Sequence, residues 1–183
     1  KLHFAIKELK NYKPVQYILG HVPFMDLTLR VSPHVLIPRP ETEQLVDWMY
    51  KQESNGVPFV LDAGTGSGCI ALSLKKQWPE AFVCGYDNSI KALEVAKTNA
   101  QLNHLEVTFF EADMSNEALP GGYLFDVIVS NPPYILNSEQ QEMLPNVLDY
   151  EPHDALFVAD DDPLRFYRSI LIQSRQSLKP KGR

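Results

Sequence analysis

Much of what this chain could be is excluded by what it lacks. None of its apolar runs approaches the ~20 residues of a membrane-crossing helix, and no stretch has the pattern of a secretory signal. Only two cysteines occur among its 183 residues, Cys69 and Cys84. So low a count excludes a disulfide framework and fits buried thiols in a reducing compartment, so a cytoplasmic protein is expected. An organellar home stays open, because the chain starts as though inside a helix and a targeting segment would precede it. Five histidines are present, none at a ligand spacing, so no metal site is expected. Basic residues are outnumbered, 17 Lys and Arg against 23 Asp and Glu, for a net charge of −6. That balance argues against a broad phosphate-binding face and disfavours direct nucleic-acid binding. No internal repeat or low-complexity segment appears, which sets aside solenoids. What is present is 44% hydrophobic content. At this length that buries the core of one main domain, expected as a monomer.

The most informative segment is Asn131-Pro132-Pro133-Tyr134, directly after the apolar run Asp126 to Ser130. The run reads as a buried strand. Proline fixes φ and donates no hydrogen bond, and the residue before each proline is pushed to extended geometry. The result is a stiff turn presenting one side-chain amide and backbone carbonyls as acceptors. Such a turn can hold a planar –NH2 group by both hydrogens. The plainer alternative is an ordinary turn after a strand, since Asn and Pro are common there.

A second signal is Phe59 to Gly68, in which an apolar run meets Gly64-Thr65-Gly66-Ser67-Gly68 and leads into Cys69 to Leu74. This is strand, glycine-rich turn and helix. The G-x-G-x-G spacing differs from the G-x-G-x-x-G of dinucleotide folds, which suits a nucleotide ligand without a pyrophosphate. The next strand candidate, Ala81 to Tyr86, ends in Asp87, about 20 residues beyond the last glycine, where a strand-end acid meets ribose hydroxyls. Ser89 suits the cap of the helix Ile90 to Leu102, which leaves Asp87 free for a ligand. A third strand, Val107 to Phe110, leads to Asp113 and Met114, which could accept from an adenine amino group and line a base pocket. Strands and helices alternate from 59 to 130, which predicts a right-handed, doubly wound parallel sheet. Ligands bind beyond the carboxyl ends of such strands, where all four motifs fall.

These residues resemble the class I S-adenosylmethionine-dependent methyltransferases and, within them, the glutamine N5-methyltransferases of peptide chain release factors. The most specific matches are Pro14 to Gly20, Leu36 to Glu43, the glycine turn, Asn131 to Tyr134 and Glu151 to Leu156. The resemblance implies a mainly parallel Rossmann-like sheet and S-adenosyl-L-methionine as cofactor, held by Gly64, Thr65, Gly66, Ser67, Gly68, Asp87, Asp113, Met114 and Asn131. It implies a release factor as partner, whose Gly-Gly-Gln glutamine is held by Asn131, Pro132, Pro133 and Tyr134, the catalytic loop. Arg39 is assigned to substrate, and Arg39 with Glu43 to closing the cofactor pocket. A ribosomal-protein glutamine methyltransferase lacks the Arg-Pro-x-Thr-Glu form of Arg39 to Glu43, so the release factor is preferred.

Three segments are expected: the end of an N-terminal helical domain over 1–20, a β-hairpin over 21–35, and the methyltransferase domain over 36–183. Leu45, Val46, Trp48 and Met49 are expected on the apolar side of a helix following Arg39 to Glu43. Pro163 to Leu178 reads as a last helix, and Lys179 to Arg183 as a turn into a fifth strand. Three further strands complete a fold of this class, so the C-terminal strands are expected to be missing from this sequence. Other readings keep the same cleft. An adenine-N6 or guanine-N2 nucleic-acid methyltransferase would offer the same –NH2 to the same loop, but needs a basic strand-binding surface. A nicotinamide-dependent dehydrogenase is disfavoured by the glycine spacing. A non-catalytic scaffold would have little use for an intact Asn131 to Tyr134 loop.

Overall fold

The structure, a computed structural model, describes residues 2–52, 58–115, 119 and 122–183. The chain opens with helices α1 (Leu2–Lys10) and α2 (Val15–Leu19). Gly20 ends α2 in the left-handed region at φ 77°, and the chain turns into the hairpin β1 (His21–Phe24) and β2 (Leu27–Arg30). There follow α3 (Pro40–Gln52), β3 (Phe59–Ala63), α4 (Cys69–Gln77), β4 (Phe82–Asp87), α5 (Ile90–Leu102), β5 (Thr108–Glu111) and β6 (Val127–Ser130). The last part carries β7 (Ile135–Leu136), a 3-10 turn at Asn137–Glu142, α6 (Pro145–Leu148), a 3-10 turn at His153–Ala155, β8 (Phe157–Val158) and α7 (Arg165–Ser177).

β3 to β6 form one parallel sheet in the order β5-β4-β3-β6. The chain moves outward from β3 to β5, then returns to the other side of β3 as β6. That reversal leaves a crevice between the carboxyl ends of β3 and β6, where ligands bind in open α/β sheets. Buried residues of the central strands alternate between the two faces, as the period of two dictates. Val60, Val83, Phe109, Val127 and Val129 pack with α3, α4, α5 and the hairpin. Leu61, Ala63, Cys84, Tyr86 and Phe125 pack on the other face with Phe166 and Ile170 of α7. Helices therefore cover both faces, giving the doubly wound sheet read from the alternation.

Local details follow from individual side chains. Ser89 caps α5 by accepting from the Ala92 amide at 3.2 Å. Asn99, fully buried on α5, accepts from the Arg30 amide at 2.6 Å and donates to the Arg30 and Ser67 carbonyls at 3.1 and 2.9 Å. One amide thus ties the hairpin to the glycine turn. On α3, Thr42, Val46 and Met49 are buried, whereas Trp48 is 56% exposed. This corrects the expected apolar side: residues 42, 46 and 49 share the inner stripe, and Trp48 borders a cleft at the β6 edge with Leu45 and Trp78. Beyond α7, Phe125 and Leu178 form a parallel bridge. The Arg183 amide donates to the Asp126 carbonyl and its carbonyl accepts from the Ile128 amide, both at 2.9 Å. The turn expected before a fifth strand thus lies parallel along the outer side of β6.

Candidate functional site

The glycine turn leaves β3 with φ of +73° at Gly64, +54° at Gly66 and +80° at Gly68. Side-chain-bearing residues rarely adopt these values. The Gly64 and Thr65 amides donate to the Tyr86 carbonyl at 2.9 and 2.8 Å, binding the turn to the end of β4. A Cβ on Gly64 would lie 3.0 Å from Met114 Cε, while one on Gly66 would meet open space. Gly68 faces inward, where a Cβ would press on Leu72, Phe109 and Ala96 at 3.2 to 3.3 Å. Its absent side chain lets α4 approach α5.

Beyond the strand ends lies a cavity of about 200 Å³. Gly64, Thr65, Gly66, Ser67, Asp87, Asp113, Met114, Asn131, Pro132, Pro133 and Arg39 all line it. Gly68 and Tyr134 are not on its wall, and Tyr134 is 59% exposed.

Asp87, the last residue of β4, accepts from the Gly66 amide through Oδ2 and from the Ser89 amide through Oδ1, each at 2.9 Å. The carboxylate is thus not free, as the sequence alone suggested. It spans the glycine turn and the α5 cap, and each oxygen keeps a second lone pair for a ligand. Burial raises its pKa above the ordinary carboxylate value, while the Ser89, Gly66 and Asn88 amides pull it back down. Asp113 accepts from the Ser115 amide at 2.7 Å, which shapes the turn carrying Met114.

Asn131 follows β6, whose end is tied to β3 by Ser130 Oγ donating to the Ala63 carbonyl at 2.7 Å. Its Nδ2 donates to Thr42 Oγ1 on α3 at 3.3 Å. That contact fixes the amide plane and leaves Oδ1 as the acceptor end. Arg39 is engaged as well. Its Nη2 donates to Glu151 Oε1 at 2.5 Å, and Glu151 Oε2 accepts from the Ile37 amide at 3.0 Å. Two segments more than a hundred residues apart in sequence are thereby joined at the mouth. Glu43 turns away: its Oε1 accepts from the amide of Met25, a hairpin residue at φ +47°. It anchors the hairpin and is not on the cavity wall.

Several wall residues carried no assignment from the sequence. Thr42 enters the sequence reading only as one position of the Arg39 to Glu43 match, and its burial beside Asn131 has no local signal. Pro152, Asp154 and Ala155 reach the cavity from the 3-10 turn, and Phe166 from α7. Asp62, on β3 beneath the turn, is fully buried; its Oδ2 accepts from Thr65 Oγ1 at 2.7 Å and the Ala71 amide at 3.2 Å. Burial, opposed by those donors and aided by the Asp87 charge, pushes its pKa up to about 7. Among the described residues no cluster of His, Cys, Asp and Glu is arranged to hold a metal ion. Nor is any described helix long and apolar enough to cross a membrane.

The glycine turn, the strand-end acid Asp87 and the Asn131 to Pro133 loop thus line one crevice at the carboxyl ends of the strands. The chain belongs to the methyltransferase small domain family, whose profile matches residues 41–149. Among relatives, it is 48% identical over 183 residues to the release factor glutamine methyltransferase of Flavobacterium psychrophilum, covering 97% of this chain and 64% of that protein. It is 47% identical to the protein of the same name from Bacteroides thetaiotaomicron, covering 100% of this chain and 66% of that one. The chain thus spans just under two thirds of the length of these relatives. Among solved structures, the catalytic domain of hMettl16, in complex with the MAT2A 3'UTR hairpin 6, superposes with a TM-score of 0.68 at 17% identity. That match covers 92% of this chain and 66% of the other, and it speaks to the fold alone.

Proposed function

We propose that this chain transfers a methyl group from S-adenosyl-L-methionine to the side-chain amide nitrogen of the glutamine in the Gly-Gly-Gln motif of a peptide chain release factor. The observation that supports it best is the single cavity in which Asn131 and Pro132 share a wall with the glycine turn, Asp87 and Met114. The names of the relatives point to the same reaction. The same reading has the enzyme acting as a monomer in the cytoplasm, on the release factor as partner.

The residues present fit the cofactor. The slot between Gly64 and Met114 is one that a Cβ would fill, and Gly66 opens onto the cavity. Asp87 would take ribose hydroxyls on its remaining lone pairs. Met114 would supply an apolar wall for the base, and Asp113 an acceptor for its amino group. When bound, S-adenosylmethionine supplies an electrophilic methyl group on a sulfonium.

The chain's own task is to make an amide nitrogen reactive. That nitrogen is a poor nucleophile, because its lone pair is delocalised into the carbonyl and the group is planar. Asn131 Oδ1 and the Pro132 carbonyl would accept both –NH2 hydrogens. Those bonds stabilise positive charge growing on nitrogen and favour its pyramidal form, which releases the lone pair. The proline pair holds the acceptors without competing N–H groups, and Thr42 holds the Asn131 amide plane. This is preorganised electrostatics with orientation. The proton leaves after transfer, when the nitrogen has become strongly acidic. Pro133 would stiffen the loop, and the exposed Tyr134 would pack on the peptide flanking the glutamine.

The test is methyl transfer from labelled S-adenosylmethionine by the full-length protein. Three acceptors are offered: a release factor, the same factor with the Gly-Gly-Gln glutamine changed to alanine, and DNA. Label on the intact factor alone is expected. Label on DNA alone would move the assignment to base methylation.

A further inference from the structure

We propose that Gln173 is a positioning residue for the cofactor pocket, holding the ends of β4 and β5 together from the opposite face of the sheet. The proposal rests on the cofactor reading above and adds to it a residue distant in sequence from the strand-end motifs.

α7 is a surface helix whose buried residues are Gln173 and Ser177. Gln173 is 1% exposed, within an apolar cluster that includes Tyr86, Met114 and Ile170. A leucine or methionine would seal this face at lower cost, because a buried amide is unfavourable unless its hydrogen bonds are made. Two such bonds are made to residues of the pocket. Tyr86 Oη donates to Gln173 Oε1 at 2.6 Å, and Gln173 Nε2 donates to the Met114 carbonyl at 3.2 Å. The orientation is dictated by chemistry. The Met114 carbonyl can only accept, so it takes Nε2, which turns Oε1 to the Tyr86 hydroxyl.

Both partners line the cavity, and Tyr86 immediately precedes Asp87. The β4–β5 ladder ends at the Asp87–Glu111 register, followed by the Ala112 amide donating to the Asp87 carbonyl at 3.2 Å. Beyond that point Gln173 ties Tyr86 of β4 to the turn after β5, the first leading to the acceptor for hydroxyls and the second carrying the wall for the base. Loss of this tie loosens Met114 relative to Asp87. It therefore weakens cofactor binding without touching the Asn131 loop.

The experiment compares the full-length protein with Gln173→Met and Tyr86→Phe variants. S-Adenosylhomocysteine binding is measured by calorimetry, and hydrogen exchange is followed in the ligand-free state. Gln173→Met is expected to raise Kd about tenfold, the scale of one or two net hydrogen bonds. It should leave kcat at saturating cofactor and the KM for release factor near parental values. Amides of residues 112–115 should exchange faster, with those of β3 unchanged. The double variant should lose less than the two single losses combined, since both remove the same bond. A folded Gln173→Met variant with parental Kd would overturn the proposal, as would equal losses in kcat and both KM values. If Gln173→Met does not fold, Tyr86→Phe decides alone, and an unchanged Kd overturns it. A parent protein that binds no S-adenosylhomocysteine would instead remove the cofactor reading itself, and this proposal with it.

Discussion

Asp62 makes folding stability depend on pH in a direction opposite to that of most carboxylates. Its side chain is fully buried, and Oδ1 has no hydrogen-bond partner among the described residues. Burial raises its pKa from 3.8 to about 7, despite the donors Thr65 and Ala71 on the other oxygen. A folded-state pKa above the unfolded value means that the native protein holds this proton more tightly. The resulting stability is fully present below the unfolded pKa and is lost as pH rises through the folded one. Displacement from 3.8 to about 7 corresponds to on the order of 4 kcal/mol in full, at 1.36 kcal/mol per pH unit. Between pH 5 and pH 8 the linkage relation gives a loss of about 2.5 kcal/mol from this one group. Asp62→Asn removes the titration while keeping an acceptor for Thr65 and Ala71. Urea unfolding of the ligand-free parent and variant at several pH values would isolate it. The variant should gain about 2.5 kcal/mol relative to the parent between pH 5 and pH 8, starting from a deficit or near parity at pH 5. A difference that stays flat within about 0.5 kcal/mol, the ordinary scale of a neutral substitution, would refute the assigned proton.

Other perturbations separate the parts of the site. Asn131→Ala should lower kcat by about 10²–10³, the cost of losing one preorganised hydrogen-bonding group, with cofactor affinity changed far less; full turnover would remove Asn131 from the reaction. Asp87→Ala should weaken cofactor binding by about 1.5–3 kcal/mol, the range for hydrogen bonds to a charged group, and unchanged calorimetric affinity would take Asp87 out of the site. Glu151→Ala leaves Arg39 and the Ile37 amide without their shared partner, in a place where the Glu151 side chain is 1% exposed. It should destabilise the fold by about 1–3 kcal/mol, the cost of leaving the buried Ile37 amide unsatisfied, read as a lower urea midpoint; an unshifted midpoint would show that Glu151 does not anchor the mouth.

The strands were readable because each apolar run is short and bounded by turn residues, so β3, β4, β5 and β6 fall within a residue of expectation. The cap at Ser89 was readable for the same local reason. Trp48 was not, since its neighbours Leu45, Val46 and Met49 are apolar too and only packing selects the inner stripe. Asp87 shows the same limit. A carboxylate after a strand signals a ligand acceptor, but nothing local says that the Gly66 amide will already be bonded to it.

What the sequence determined by itself is the set of devices whose physics is local. Glycines reach positive φ where other residues are strained, prolines stiffen the Asn131 loop, and alternation writes the parallel sheet. Only the tertiary structure decided which distant groups complete those devices: Thr42 on Asn131, Glu151 on Arg39, Asn99 on Ser67 and Gln173 between Tyr86 and Met114. These pairs join residues up to more than a hundred positions apart, and each forms because a buried polar group must find a partner. That demand is set by burial, which does not exist until the chain has folded.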